Sequence, residues 1–520
     1  MRTSTQEQEA AEAADPRRWW MLGVLSLALF VIILNNGLLN VAIPEIMQEL
    51  GTGISATQWI VDGYAVVFAA ALLTAGTLSD RYGRKRATLL GTCGFGVGSL
   101  LALTADGTVQ LVAARCVMGL AAAFVMPGTL AILVDVFPAR ERPRAIAVWG
   151  SSSALGVAAG PVIGGLLVDR FWWGSIFLVN LPPVLVVLAA GLWLLPESSE
   201  KVPRPADPVG AVLGSATMTA LVYGVIHAAG QGWTSAPVLV ALTACGACAA
   251  GFVAWERRHP FPMVNFALLR TPAFLGASAG SMLLFLGLAG TLFVLTQQLQ
   301  FALGYSPLEA GLAVAPLAVG VGLGSTLTTA LTRLAGTDGG VACGLACAAA
   351  GMLTLSQFSD SYLPIVAGLL LSGFGIGLAL TPVTDTVMTL VPPERSGNAA
   401  ALNDTMQELG NALGVAVVGT VLARQYGTQA AGPPASREAR QSFVEAASSG
   451  FLVAASVVAA GAAVAAALLP GSNPVGRHRL VPGSRTPGRH RRPRQRSIGP
   501  TAWSEEAAEP VPALPSLSDA

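Results

Sequence analysis

Gly76-Thr77-Leu78-Ser79-Asp80-Arg81-Tyr82-Gly83-Arg84-Lys85-Arg86 is a knot of charge between two apolar runs, residues 56–79 and 87–106. Each run has the length, about 20 residues, that a helix needs to cross the hydrocarbon core of a bilayer. Gly83 permits a sharp turn between antiparallel helices. Asp80 stands where a carboxylate caps the next helix or pairs with Arg81 or Arg84. A charge latch of that kind holds one conformation and releases another. Basic residues alone would make this an ordinary positive loop on the cytoplasmic side. The full spacing of glycine, acid and base is more specific.

The same alternation runs through the chain. Of its 520 residues 53% are hydrophobic and only 11% charged, with a mean hydropathy of +0.61. Soluble domains are near a quarter charged, so a soluble enzyme, a nucleic-acid binder and a disordered scaffold are excluded. An all-α polytopic membrane protein is expected. Fourteen apolar runs are long enough to span: 20–43, 56–79, 87–106, 109–135, 146–168, 173–195, 209–229, 236–255, 273–297, 308–331, 340–358, 363–388, 397–422 and 448–469. The Gly-rich stretch 308–358 is the hardest to divide.

The net charge of +1 hides clustering. Bases gather at Arg17/Arg18, Arg81–Arg86, Arg140/Arg142/Arg144, Lys201/Arg204, Arg257/Arg258, Arg333 and Arg395, in every second loop. The opposite loops carry Glu45, Glu49, Asp106 and Asp360. By the positive-inside rule both termini are cytoplasmic. The exception is loop 423–447, where Arg424, Arg437 and Arg440 accompany Glu438 and Glu445. The Pro-, Arg- and Ser-rich tail from 470 is expected to be a disordered cytoplasmic segment. No cleavable signal peptide is expected, because the chain is acidic and polar up to Pro16. Cys93, Cys116, Cys245, Cys248, Cys343 and Cys347 all lie in apolar runs, which speaks for helix packing over a metal or disulfide framework.

A second pattern lies in the fifth run: Gly156-x-x-x-Gly160-Pro161-x-x-Gly164-Gly165. GxxxG alone is a common close-packing face; proline among four such glycines adds a kink at a tight crossing. The 76–86 turn closely resembles the signature loop of the major facilitator superfamily. The 156–165 pattern is similar to the antiporter motif of that superfamily's exporters. Leu111 to Arg115, through Gly119 and Pro127, resembles its fourth-span motif with an intramembrane Arg. Asn40-Val-Ala-Ile-Pro44 and Gln58-Trp59-Ile-Val-Asp62-Gly-Tyr64 resemble the first two spans of the 14-helix drug:proton antiporters. Gly397 to Asp404, through Glu408 and Asn411, is most like the quaternary-ammonium (antiseptic) resistance pumps within that family.

The resemblance implies a major facilitator fold: two six-helix bundles at 20–195 and 273–469, rocking about a central cavity. Two extra transmembrane helices occupy 196–272, after an N-terminal segment 1–19 and before the tail 470–520. It implies a gating loop of Gly76, Asp80, Arg81, Gly83 and Arg84, and an antiporter motif of Gly156, Gly160, Pro161, Gly164 and Gly165.

Intramembrane acids are costly and mark function by default. Asp62 lies about two turns inside the second run. Asp404 and Glu408 lie about 10 and 16 Å into the thirteenth, at 1.5 Å per residue, and share a helix face. Two close carboxylates in low dielectric do not both ionise easily, so a cation and a proton compete for the pair. The plainer alternative is a pair satisfied by neighbouring polar side chains. Many relatives carry an acid where this chain has Asn35, which leaves Arg115 without that partner and Asp62 as the candidate replacement. Asp62, Asp404, Glu408 and Arg115 are thus expected to couple protons or hold a substrate cation. Asn35, Asn36, Trp59 and Tyr64 are expected in the substrate cavity.

His227 reads as a satisfied interfacial residue. Trp19, Trp20, Trp172, Trp173 and Trp233 read as interfacial anchors. No P-loop and no clustered nucleophile, metal or cofactor site appears. The function implied is proton-coupled efflux of hydrophobic, cationic small molecules or drugs across the cell membrane. The energy source is the proton gradient, with no cofactor, and the partners are substrate, protons and membrane lipid. The alternative is a dedicated exporter of one endogenous metabolite such as an antibiotic. Oligomeric state is left open.

Overall fold

The computed structural model describes residues 15–138, 140–198, 207–260, 270–357, 361–389, 396–426 and 436–469. Expectations for the first 14 residues, the tail from 470, Lys201, Arg204, Asp360 and Arg395 fall outside these residues. Among the described residues, fourteen helices are long and apolar enough to cross a membrane. They are α1 (Arg18–Glu49), α2 (Ile54–Tyr82), α3 (Arg84–Leu103), α4 (Thr108–Val136), α5 (Arg142–Arg170), α6 (Ser175–Leu194) and α7 (Pro208–Gln231). There follow α8 (Ala236–Glu256), α9 (Pro272–Phe301), α10 (Pro307–Thr332), α11 (Leu334–Gln357), α12 (Tyr362–Thr389), α13 (Ser396–Tyr426) and α14 (Arg437–Leu468).

Local chemistry sets the ends. Gly336, at φ +79° in the first turn of α11, breaks the run Pro307–Gln357 just past the junction of α10 and α11, a conformation that glycine alone adopts freely. Asp207 caps α7 by accepting from the Gly210 N–H. The expected 423–447 loop is corrected. Helix α14 begins at Arg437, because Ser436 accepts from the Ala439 N–H and Glu438 sits in the first turn, where the helix dipole favours an acid.

The pairings repeat along the chain. In the first half α1 packs on α5, α2 and α3 pack on α4, and α6 packs on α1 and α3. In the second half α9 packs on α13 and α14, and the α10–α11 pair packs on α12. Each half has its own apolar core. Chain turns alternate between two ends of the bundle, named here by their turn glycines the Gly51 face and the Gly83 face. Ile43, Met47 and Ile54, from the first half, belong to the core of the second. The halves therefore meet at the Gly51 face. Helix α7 closes the line between α2 and α13 with Val222, Val225 and Ile226, whereas α8 packs chiefly on α7.

The tryptophans divide. Trp20, Trp172 and Trp233 are exposed, but Trp173 is buried against Phe177, so it serves the core and not an interface.

Candidate functional site

The Gly83 turn is a network of charge. Arg84 Nε donates to Asp80 Oδ1 at 2.8 Å, and its Nη1 donates to Asp135 at the end of α4. Gly83 has φ +113°, and a Cβ there would stand 2.5 Å from Glu197 Oε1. Glu197, just past α6, accepts from the Lys85 N–H at 3.1 Å and pairs with Arg86 at 3.4 Å. The Arg84 N–H donates to the Ser198 carbonyl. Glycine is required here by both backbone and neighbour. Arg81 lies over the Tyr82 ring and is exposed. Gly76 has ordinary space around it, 3.9 Å to Pro127.

Asp135, Glu141 and Glu197 were not singled out from sequence. Arg18 grips Glu141 through Nε and Nη2, at 2.8 and 3.1 Å, and this charge-assisted pair holds the Glu141 carboxyl below the usual range. The signal available was misplacement: Asp135 sits in the last turn of a helix and Arg84–Arg86 in the first, both against the dipole. Asp80→Asn leaves Arg84 only Asp135. The pair is partly exposed, worth about 1 kcal/mol at most, so a conformational equilibrium that makes and breaks it is expected to shift about fivefold. Spin-label distances between the two halves that ignore the substitution would remove the latch.

The α5 glycines are contact points. A Cβ on Gly160 would lie 2.8 Å from Gly37 Cα, and one on Gly164 would lie 2.9 Å from Leu38 Cα. Gly156 faces Ile33 at 3.1 Å. On the opposite side Gly165 rests on Pro307 and Leu308 of α10, and Gly311 rests on the Pro161 carbonyl. Helix α5 is therefore pressed between α1 of its own half and α10 of the other.

Arg115 is buried, donates through Nε to the Ile60 carbonyl at 3.1 Å, and lies 4.4 Å over the Tyr64 ring. Tyr64 is in electrostatic reach of Glu408 on α13. Glu408 accepts from Asn411 Nδ2 at 3.3 Å and interacts electrostatically with Asp404. Both acids are half-buried. A chain of groups thus crosses from α4 through α2 to α13. Asp62 does not join it: the carboxylate is buried with no hydrogen-bond partner for either oxygen. It does not take the place of the missing first-span acid beside Arg115, because Asp62 and Tyr64, two residues apart, point to different sides of α2. Asn35 is turned into its own bundle, where its Oδ1 accepts from Asn180 at the break in α6 at 3.3 Å. Asn36 is half-buried, and Trp59 packs near Tyr223 of α7 at 6.2 Å between ring centres. His227 stacks on Tyr223, and its Nδ1 lies 3.0 Å from that residue's carbonyl.

A family model described as Major Facilitator Superfamily matches residues 25–415. The chain is 36% identical over 430 residues to the multidrug efflux pump LfrA of Mycolicibacterium smegmatis, covering 82% of this chain and 85% of that protein. It is 38% identical over 400 residues to the multidrug resistance protein Stp of Mycobacterium tuberculosis, covering 76% and 74%. To a probable actinorhodin transporter of Streptomyces coelicolor it is 33% identical over 428 residues, covering 80% and 74%. Among solved structures, a bacterial homologue of the human lysosomal transporter Spinster, inward-facing and unoccupied, matches with a TM-score of 0.64 at 15% identity. It covers 88% of this chain and 98% of that one.

Proposed function

The chain belongs to the Major Facilitator Superfamily, and from that premise we propose that it is a proton-coupled antiporter exporting hydrophobic, cationic small molecules across the cell membrane. The observation that carries this reading is the pair Asp404 and Glu408. They stand one helical turn apart inside α13, and Glu408 is in electrostatic reach of Tyr64 in the other bundle. Such a pair holds either a proton or a substrate cation, and aromatic neighbours favour a lipophilic one. The gating loop and the α5 motif then serve the exchange between two conformations.

Sidedness follows from charge. The Gly83 face carries Arg81, Arg84, Lys85, Arg86, Arg140 and Arg144, and the Gly51 face carries Glu45, Glu49 and Asp106, with Arg170, Arg424, Arg437 and Arg440 as its exceptions. The Gly83 face, with both termini, is cytoplasmic on this reading. The bundles are then joined on the outer side, the arrangement of an inward-facing transporter.

Similarity to a probable actinorhodin transporter favours a second reading, a dedicated exporter of one endogenous metabolite such as an antibiotic. One experiment tests both. In vesicles with an imposed pH gradient, a panel of lipophilic cations is expected to accumulate against its own gradient. Accumulation that ignores the pH gradient overturns proton coupling. Movement of one chemical class alone supports the dedicated exporter.

A further inference from the structure

Gln58, from the first half, is buried, and its Nε2 donates to the carbonyls of Val415 and Ala416 on α13, both at 3.0 Å. It reaches them because residue 419 is glycine: a Cβ there would stand 2.5 Å from that nitrogen. Each carbonyl has two lone pairs, so the amide bonds to α13 without breaking the helix. A second amide, Gln300, donates to the Val41 carbonyl at 2.9 Å and joins the halves at the same face. Thr420, next to the glycine, donates to Val225 of α7 at 3.1 Å. These fastenings are neutral, so parting them leaves no buried charge behind.

Asp62 lies one turn deeper on the same face of α2 as Gln58. Ala65 and Val66 on that face pack against α7 and α13. Neither carboxylate oxygen has a hydrogen-bond partner, and the residue is fully buried. A polar group left this way is costly, and within a membrane it marks function.

We propose that Gln58, seated in the slot at Gly419, is the plug that closes the Gly51 face and controls access from that face to the Asp62 carboxyl. The proposal rests on the transport reading for its purpose. Its geometry stands apart from substrate. Glycine at 419 is then a positioning residue, since any side chain there strikes the plug.

Two exposed residues of the Gly51 face, Val109 in the first half and Leu363 in the second, can carry spin labels in the full chain after its six native cysteines are replaced. Their separation reports whether that face is closed. Gln58→Ala removes two hydrogen bonds and is expected to move the closed-to-open ratio about tenfold toward open. Gly419→Ala is expected to do the same, but to add little when combined with Gln58→Ala, because only the edge of the Phe293 ring, at 3.0 Å, then remains to be met. Gln58→Asn, one methylene too short to reach the carbonyls, should behave as Gln58→Ala and serves if a glycine variant fails to insert.

In parallel, a membrane-impermeant thiol reagent should modify Asp62→Cys faster when Gly419→Ala is also present. An equal shift from Gly419→Ala whether or not Gln58→Ala accompanies it, or no shift from either Gln58 variant, overturns the plug. An unchanged labelling rate at 62 severs it from Asp62. The distances need neither substrate nor gradient. Responding distances without any cation export would overturn the transport reading and leave the plug in place. Export with unresponsive distances would overturn the plug alone.

Discussion

Replacing both Asp404 and Glu408, as Asp404→Asn with Glu408→Gln, is expected to reduce gradient-driven accumulation of a lipophilic cation to the passive level. Two like charges one turn apart, about 6 Å between them, repel by roughly 3 kcal/mol at an effective dielectric of about 20. A proton on one of them removes that repulsion, and so does a bound cation. Substrate and proton therefore exclude each other. Glu408 has Asn411 to stabilise it, so Asp404→Asn and Glu408→Gln alone should each leave a weakened but coupled transporter. The measurement is proton release when a dicationic substrate is added to purified protein in weak buffer. Wild type should release protons and the double variant none. Equal release from both would take the pair out of the mechanism and leave Asp62 as the carrier.

Gly160→Leu is the second large effect. Its Cβ would meet the backbone of α1, 2.8 Å from Gly37 Cα and 3.0 Å from the Leu34 carbonyl. Backbone cannot step aside as a side chain can, and overfilling a packed site costs about 1–3 kcal/mol even where side chains yield. Displacing α5 from α1 drives it toward α10, where Pro161 already rests on Gly311. The expected result is loss of export and a lower melting temperature, with cation affinity in detergent largely retained. A change in affinity alone would place the motif in the binding site instead.

Much of this was legible because membrane crossing imposes a length and an apolarity that sequence displays directly. All fourteen spans and the Gly83 turn follow from it. The partners of the turn are harder to read. Glu197 meets Lys85 across 112 positions, and Glu141 meets Arg18 across 123. Only the fold decides which loop acid lies over which loop base. The same limit hid the fit of Gln58 to Gly419, since a glutamine and a glycine in separate apolar runs carry no periodic signal. Asp62 misled for a different reason. Depth along a helix can be counted, but its side of the helix matters only once the neighbours are known. The start of α14 was obscured by its charges, because a span that projects beyond the apolar layer looks like a loop at its polar end.

The α7–α8 hairpin holds itself together at its base, where Asp207 caps α7 and also accepts the Trp255 indole N–H of α8 at 2.9 Å. Only about a tenth of the most apolar stretch of α8 is buried. Such a piece is a cladding in two layers. Its inner helix, α7, is bonded into the wall through Val222, Val225 and Ile226, whereas its outer helix, α8, is held almost entirely by the inner one. Damage to α8 would therefore be felt by the two halves only through α7.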